Sequence, residues 1–391
     1  MSEWEQTTLG ALFAVDNAKL GVHVDEPTVM SLSKYDGFVR ADEYFDKRIA
    51  SSKLDGYKVV EPGEWAFSTI HIDEGSIARN NLGERGVISP MYTTMRFVAT
   101  DCVPEYAELL VRQPGMLTEY SRRAQGSINR RRSLPFKAFA QIEVTLPTLA
   151  EQRRIIDVMA AADAQIEALE EETAQTWGLL SAIRNDFLSS APRVPLNEVC
   201  DIRAGLVDPR LEEYASLLHV GVDSMEKNTG RIIGARSARE DGLISGKYLF
   251  EPGDVIYSKI RPVLRKVSAP DFRGLCSADA YPLRPKGSLS ASLLRESLLF
   301  EPVVEQVVKM SGRTKMPKVN RKELFSVNVP IPEVEARSKI DSVLLALRAE
   351  AEVLEAELAH LRTFRSTLLA SLLNHEIEIP ESYNALLEGI S

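Results

Sequence analysis

The chain has 391 residues, 44% of them hydrophobic and 26% charged, with a net charge of −9. That is enough apolar material for two ordinary cores plus connecting helices, and too acidic overall for a protein that binds nucleic acid through its total charge. Cys102, Cys200 and Cys276 lie far apart, which excludes a closely spaced zinc or redox pair and predicts buried, reduced thiols. The N-terminus carries no basic-then-apolar leader and no apolar run reaches membrane-spanning length, so the expected setting is the cytoplasm.

Residues 1–148 alternate short apolar runs with turn signals. Tyr57 to Val60, Trp65 to Phe67 and Tyr92 to Val98 read as strands, with turns at Glu61-Pro62-Gly63 and Leu82 to Gly86, and a helix is expected around Tyr106 to Arg123. A long helical run follows over 149–191, anchored by the series Ile155, Met159, Ala162, Ile166, Leu169, Thr173, Trp177, Leu180, Ile183 and Phe187. Pro192 and Pro195 mark a boundary, after which 192–331 reads like the first segment, with strands at Lys247 to Phe250 and Val255 to Ile260 and a helix from about Ser290 to Lys309. A second long helix is expected over 332–375, with Ile340, Leu344, Leu347, Ala351, Leu354, Leu358, Leu361, Arg365, Leu368 and Leu372 at alternating spacings of four and three. Arg365 is the charged member of that seam, and Phe364 beside it is expected to cover the gap. Residues 376–391 form a tail.

The two halves repeat one another. Glu61-Pro62-Gly63-Glu64-Trp65-Ala66-Phe67-Ser68-Thr69-Ile70 returns 190 residues later as Glu251-Pro252-Gly253-Asp254-Val255-Ile256-Tyr257-Ser258-Lys259-Ile260. Leu146-Pro147 and its helix return 185 residues later as Ile331-Pro332 and the second helix. A unit this long is a duplicated domain-plus-helix, not a solenoid repeat, and implies approximate two-fold symmetry. The expected fold is therefore mixed α/β (α+β): two similar domains joined by two long antiparallel helices that pair as a coiled coil. Each helix, of about 38 residues, would span about 57 Å at ~1.5 Å per residue. The alternative folds each helix back on its own domain. Candidate members of the helix-pair interface are Ile155, Ile166, Leu169, Leu180 and Phe187 with Ile340, Leu347, Leu354, Leu358 and Leu368.

The charge is uneven. Residues 150–190 hold eight acids against three bases, and 333–378 nine against five, so the helical segments alone carry the net −9. Residues 112–137 by contrast hold Arg112, Arg122, Arg123, Arg130, Arg131, Arg132 and Lys137 against Glu119, and 309–323 hold Lys309, Arg313, Lys315, Lys318, Arg321 and Lys322 against Glu323. Local fields govern a phosphate ligand, because salt screens charges beyond about 8–10 Å.

No catalytic centre is evident. Gly242 to Lys247 has the wrong spacing for a phosphate-binding loop, and there is no Asn-Pro-Pro-aromatic sequence and no Gly-x-Ser-x-Gly elbow. His71 with Asp73 and Glu74, or His219 with Asp223, have metal-ligand chemistry, but five scattered histidines favour core or solvent roles and no metal site is assigned. Asp254 and Lys259 suit a nuclease, yet their counterparts are Glu64 and Thr69, so a turn acid before a strand accounts for them better.

Taken together, the helix start Leu-Pro-Thr-Leu-Ala-Glu-Gln-Arg-Arg-Ile at 146–155, Val-Pro-Ile-Pro at 329–332, Ile-Glu-Ile-Pro at 377–380 and the twice-used Pro-Gly-acid strand resemble the DNA-specificity subunit of type I restriction–modification systems. The second helix start, Glu333 to Ile340, departs from the pattern by lacking the Glu-Gln pair. The resemblance implies a non-catalytic subunit whose two target-recognition domains, 1–148 and 192–331, each read one half of a split, asymmetric DNA target. It implies that the helices set the spacing and bind two modification subunits that methylate adenine with S-adenosylmethionine. A restriction subunit, a motor-nuclease using ATP and magnesium, would join for cleavage. The chain itself would carry no cofactor.

Within that resemblance the candidate DNA contacts are the two basic clusters (Arg122, Arg123, Arg130, Arg131, Arg132 and Lys137; Lys309, Arg313, Lys315, Lys318, Arg321 and Lys322), together with Arg79, Asn80, Lys259 and Arg261 in the loops after the repeated strands. Most should position phosphates, with one or two reaching base edges, and Asn80 is a candidate adenine partner. Two other readings use the same residues: a coiled-coil scaffold without DNA specificity, and the specificity subunit of a fused cleavage–methylation system.

Overall fold

The repeated segments become interior strands of two sheets. In this computed structural model, which describes residues 4–21, 27–44, 54–126, 132–203, 205–312, 316–380 and 382–383, the chain divides into two units, 1–168 with 358–391 and 169–357. Trp65–Ser68 and Val255–Ser258 each lie between two neighbours in a four-stranded sheet, and all their residues are buried. A strand covered on both faces tolerates the fewest substitutions, which is why this stretch keeps the repeat most visibly.

In the first unit the sheet runs Phe13–Asp16, Tyr92–Phe97, Trp65–Ser68, Ile77–Arg79, all antiparallel. Glu5–Thr8 pairs with Glu143–Leu146, and smaller pairs join Met30–Ser33 to Gly37–Arg40 and Lys58–Val60 to Gly86–Ile88. Helices Pro104–Arg112 and Pro114–Arg123 pack an aromatic core of Phe13, Trp65, Phe67, Tyr106, Tyr120 and Phe139. Ile155 and Met159 from the first long helix and Leu369, Leu372 and Leu373 from the second complete that core.

The second unit repeats the plan. Its sheet runs Cys200–Ile202, Ala280–Pro285, Val255–Ser258, Val267–Ser268; Arg193–Pro195 pairs with Asn328–Pro330; and helices Ala291–Leu299 and Glu301–Met310 occupy the places of the two helices above. Its second sheet is larger, five strands in the order Leu206–Val207, Lys247–Phe250, Gly274–Cys276, Leu218–Val220, Arg236–Ser237. Trp177, Leu180, Ile183, Phe187 and Leu188 meet Ile340, Leu344 and Leu347 in its core.

The two long helices are continuous over Leu149–Ser189 and Val334–Leu373. Within each unit their segments run antiparallel: Arg365 clasps Asp163 in the first, with Nη2 at 2.7 Å from Oδ2, and Trp177 Nε1 donates to Glu355 at 2.9 Å in the second. Every predicted seam residue is buried or half-buried, Ile166 and Leu368 among the half-buried and Leu169, Leu354 and Leu358 among the buried. The pairing of the two helices is the packing found; neither folds back on its own domain, since Leu180 and Leu188 of the first enter the core of the second unit and Leu369, Leu372 and Leu373 of the second enter that of the first. Phe364 does not cover Arg365; it is 58% exposed, and the gap is closed by the Asp163 ion pair instead.

Each expected single helix, 106–123 and 290–309, is two. Pro114 lacks an N–H and forces Gln113 to an extended ψ of 151°, ending the first helix at Arg112. Pro302, the second residue of the following helix, has no N–H to bond the Leu298 carbonyl, and there the break falls at Phe300, extended at ψ 129°. The three cysteines are buried and free.

Candidate nucleic-acid interface

Both units build the same corner at the end of the repeated strand. Gly63 and Gly253 sit at φ 83° and 89°, which lets the Pro-Gly turn reverse without a Cβ in the left-handed region. The acid after each glycine closes the turn: the N–H of Glu61 donates to Glu64 Oε2 and that of Glu251 to Asp254 Oδ2, both at 2.8 Å. Asp254 is fully buried and also accepts from Arg203 and from Arg284 at 2.9 Å. Glu64 is pushed above the usual carboxylate range by burial. These acids are structural, and Lys259 donates to the carbonyl of Ala278.

The residue after the strand then captures the basic loop. Leu134 N–H donates to Thr69 O at 2.7 Å in the first unit, and Val319 N–H to Lys259 O at 2.9 Å in the second. Arg261 N–H adds a bond to Pro317 O at 2.8 Å, and Ile260 bridges Lys318. In the second unit two groups of predicted contact residues, Lys259 with Arg261 and Lys318, some sixty positions apart in sequence, thus share one edge. Beyond the loop comes a short helix, Phe136–Ala140 or Arg321–Phe325, at the 185-residue offset. Each carries an exposed lysine as its second residue, Lys137 and Lys322, with no side-chain partner among the described residues.

Around Lys322 the other cations are held to differing degrees. Lys318 lies 3.3 Å and Lys259 3.8 Å from the single carboxylate of Asp279, and Lys259 also stands over the Tyr281 ring at 5.3 Å. Arg321 covers Phe325 at 5.4 Å, and Lys309, on a neighbouring helix, is 77% exposed and 3.5 Å from Glu305. Arg261 is exposed, with no side-chain partner among the described residues.

The first unit spends more of its cations internally. Arg122 and Arg123 share Glu119, whose carboxyl their hydrogen bonds pull down to about 2. Arg132 donates to the carbonyls of Ser121 and Ala124, each at 2.7 Å, and so caps the helix Pro114–Arg123. Arg79 is tied to Glu105 at 2.6 Å. Asn80 requires a correction: it is 1% exposed, its amide donates to Glu61 O and Glu84 O, and its Oδ1 accepts from Leu82 N–H, so it has no free edge for adenine. Arg130, Arg131, Arg313 and Lys315 lie outside the described residues.

The helix starts hold a correspondence that the sequence had hidden. Gln152 is fully buried; its Nε2 donates to Asp101 O and Pro147 O at 2.8 and 2.9 Å, and its Oε1 accepts from Val103 N–H at 2.9 Å. At the equivalent place Arg337 donates to Pro332 O at 2.9 Å and to Ser288 Oγ at 3.0 Å. The missing Glu-Gln pair is thus replaced by a different side chain performing the same clamp. A second unforeseen feature is Glu296, fully buried and bonded by Arg348, Arg295 and Arg184, residues that lie far apart in sequence except for the neighbours 295 and 296.

His219 pairs with Asp241 at 3.0 Å, not with Asp223, and His71 with Glu74 at 3.2 Å. No cluster of three metal-ligating side chains occurs among the described residues. No helix among them is long and apolar enough to cross a membrane.

No protein-family model matches the chain. Over 206 residues, 51% of this chain and 46% of the relative, the sequence is 32% identical to the specificity subunit of the type I restriction enzyme EcoDI from Escherichia coli. The chain spans about half the length of the curated relative it matches. The S subunit of a type I restriction–modification system from M. genitalium superimposes with a TM-score of 0.57 at 12% identity, covering 95% of this chain and 96% of that one. A chain from work on complex assembly and conformational transition of the type I R-M system gives 0.57 at 16% identity, covering 95% and 97%. At these identities the structural likeness is one of fold: the mixed architecture with two long helices is that of the S subunits.

Proposed function

We propose that this protein is the DNA-recognition subunit of a type I restriction–modification complex. Each unit reads one half of an interrupted, asymmetric target, and the chain carries no catalytic groups of its own. Modification subunits dock on the long helices and methylate adenine with S-adenosylmethionine, and a motor-nuclease subunit using ATP and magnesium joins them for cleavage. The observation that carries this reading is the correspondence of Lys137 and Lys322, exposed cations with no side-chain partner among the described residues, at the same place in two otherwise diverged units of an acidic protein. Cations placed in this way suit phosphate contacts that fix register on a duplex, while neighbouring side chains discriminate bases.

The test is the double substitution Lys137→Ala and Lys322→Ala in the complex assembled with its methyltransferase partner. Losing two phosphate contacts should lower affinity for all duplexes alike and make the slope of log K against log salt shallower by about 1.8. An unchanged affinity and slope would reject the assignment. Mapping methylated adenine in cells with and without the gene tests the wider reading, since a split motif should vanish with the gene.

A further inference from the structure

The loop after the repeated strand differs between the units in a way that folding does not require. In the first unit it runs through His71, with an ordinary φ of −130°, the single turn Ile72–Glu74, and Gly75 at φ 100°. In the second unit, at the same 190-residue offset, the turn Pro262–Leu264 is flanked by Arg261 at φ 47° and Arg265 at φ 51°. Arginine occupies the left-handed region at a cost that glycine or asparagine would largely avoid. The first unit shows that the turn closes with an unstrained residue at its first position and glycine at its last.

Each strained residue is held in place. Arg261 donates its N–H to Pro317 O at 2.8 Å and accepts at its own carbonyl from Leu264 N–H at 2.9 Å. Arg265 has a structural use for its side chain, an ion pair with Glu301 at 2.8 Å. Arg261 has none among the described residues: it is exposed, as is Val263 two positions on, at 60%. Lys259 and Lys318 nearby share Asp279 and keep the surroundings positive. Strain retained at an exposed, unpartnered side chain is the pattern of a functional position. The planar fork of arginine matches guanine O6 and N7 in the major groove, and a small apolar side chain next to it fits a thymine methyl.

We propose that Arg261 is a base-reading residue of the second unit, donating both guanidinium hydrogen bonds to one guanine, with Val263 packing on the adjacent base. The inference rests on the DNA-recognition reading above. It also gives that reading an origin for asymmetry, since the first unit presents His71, paired with Glu74, at the corresponding place.

The experiment uses the full chain in its complex with the methyltransferase partner, measured on a library of duplexes varied at each position of the target. Arg261→Gly removes the side chain where glycine is the better fit to the backbone, so folding is preserved; Arg261→Lys keeps the charge and loses the fork. Both should lower discrimination at one guanine of one half-site by about tenfold to a hundredfold, with the other half-site untouched. Arg261→Lys should retain the wild-type salt slope. If the position-by-position preferences of Arg261→Gly superimpose on those of the wild type, the inference is wrong while DNA recognition stands. If the wild type itself does not discriminate among duplexes, both readings fall.

Discussion

Replacing Glu296 by Gln removes one charge from the most tightly buried ionic group in the second unit. Glu296 has no exposure, and it accepts from Arg348 Nη2 at 2.9 Å and Nε at 3.1 Å, Arg295 Nε at 3.0 Å and Arg184 Nη1 at 3.3 Å. Arg184, Arg295 and Arg348 are themselves 8%, 8% and 4% exposed. A glutamine still accepts through its oxygen but turns its NH2 toward a guanidinium that previously donated to the second carboxylate oxygen, and it removes the counter-charge that three buried cations share, Arg348 keeping an ion pair with Glu352 at 3.7 Å. Uncompensating a buried pair costs about 3–5 kcal/mol. With a urea m value of about 2 kcal/mol/M, the unfolding midpoint of this unit should fall by about 1.5–2.5 M. Trp177, stacked under Arg348 at 5.2 Å, reports the unit by fluorescence. The pH dependence gives a second signature. Burial alone pushes the Glu296 carboxyl up, but the charges of Arg348, Arg295 and Arg184 outweigh it and hold it below the usual range. A depressed folded pKa stabilises above the unfolded value of about 4.3 and loses that stabilisation as pH falls toward the folded value. Wild-type stability should therefore decline on acidification below about 4.3 more steeply than that of Glu296→Gln. A loss below about 1 kcal/mol, against the few kcal/mol expected for a buried pair, with identical acid profiles would refute the reasoning.

Gln152→Ala deletes three buried hydrogen bonds at the first helix start. It should destabilise the first unit by about 2–3 kcal/mol, read as an earlier transition in thermal unfolding. Two glycine substitutions should differ sharply. A Cβ at Gly253 meets nothing within 4 Å, so Gly253→Ala costs only the left-handed backbone, about 1–2 kcal/mol. A Cβ at Gly230 would lie 1.8 Å from Val267 O, so Gly230→Ala should lose soluble protein altogether. Comparable yields of the two variants would contradict this.

What the sequence made legible was what periodicity and burial write into it. The 3.6-residue rhythm exposed both long helices, and the doubly covered strand preserved the Glu-Pro-Gly-acid repeat, because few residues fit there. What it hid was replacement of one side chain by another doing the same work. Gln152 and Arg337 share no chemistry class, yet both bind the carbonyl of the proline that precedes their helix. Basic composition likewise located the candidate interface but could not separate Arg132, which caps a helix, from Lys137, which has no side-chain partner among the described residues. Asn80 shows the limit most clearly: an amide after a strand suits adenine or a turn equally well, and only its burial decides for the turn.

The second unit is a single stretch of chain, whereas the first is assembled from the beginning and the end, with Leu369, Leu372 and Leu373 packed beside Leu9, Leu12 and Ile155. During translation, at about 5–20 residues per second, the later-encoded unit can close on the ribosome while its predecessor still waits for a final apolar strip. A premature stop codon just ahead of Leu369 would therefore do its damage to the part of the protein that was made first.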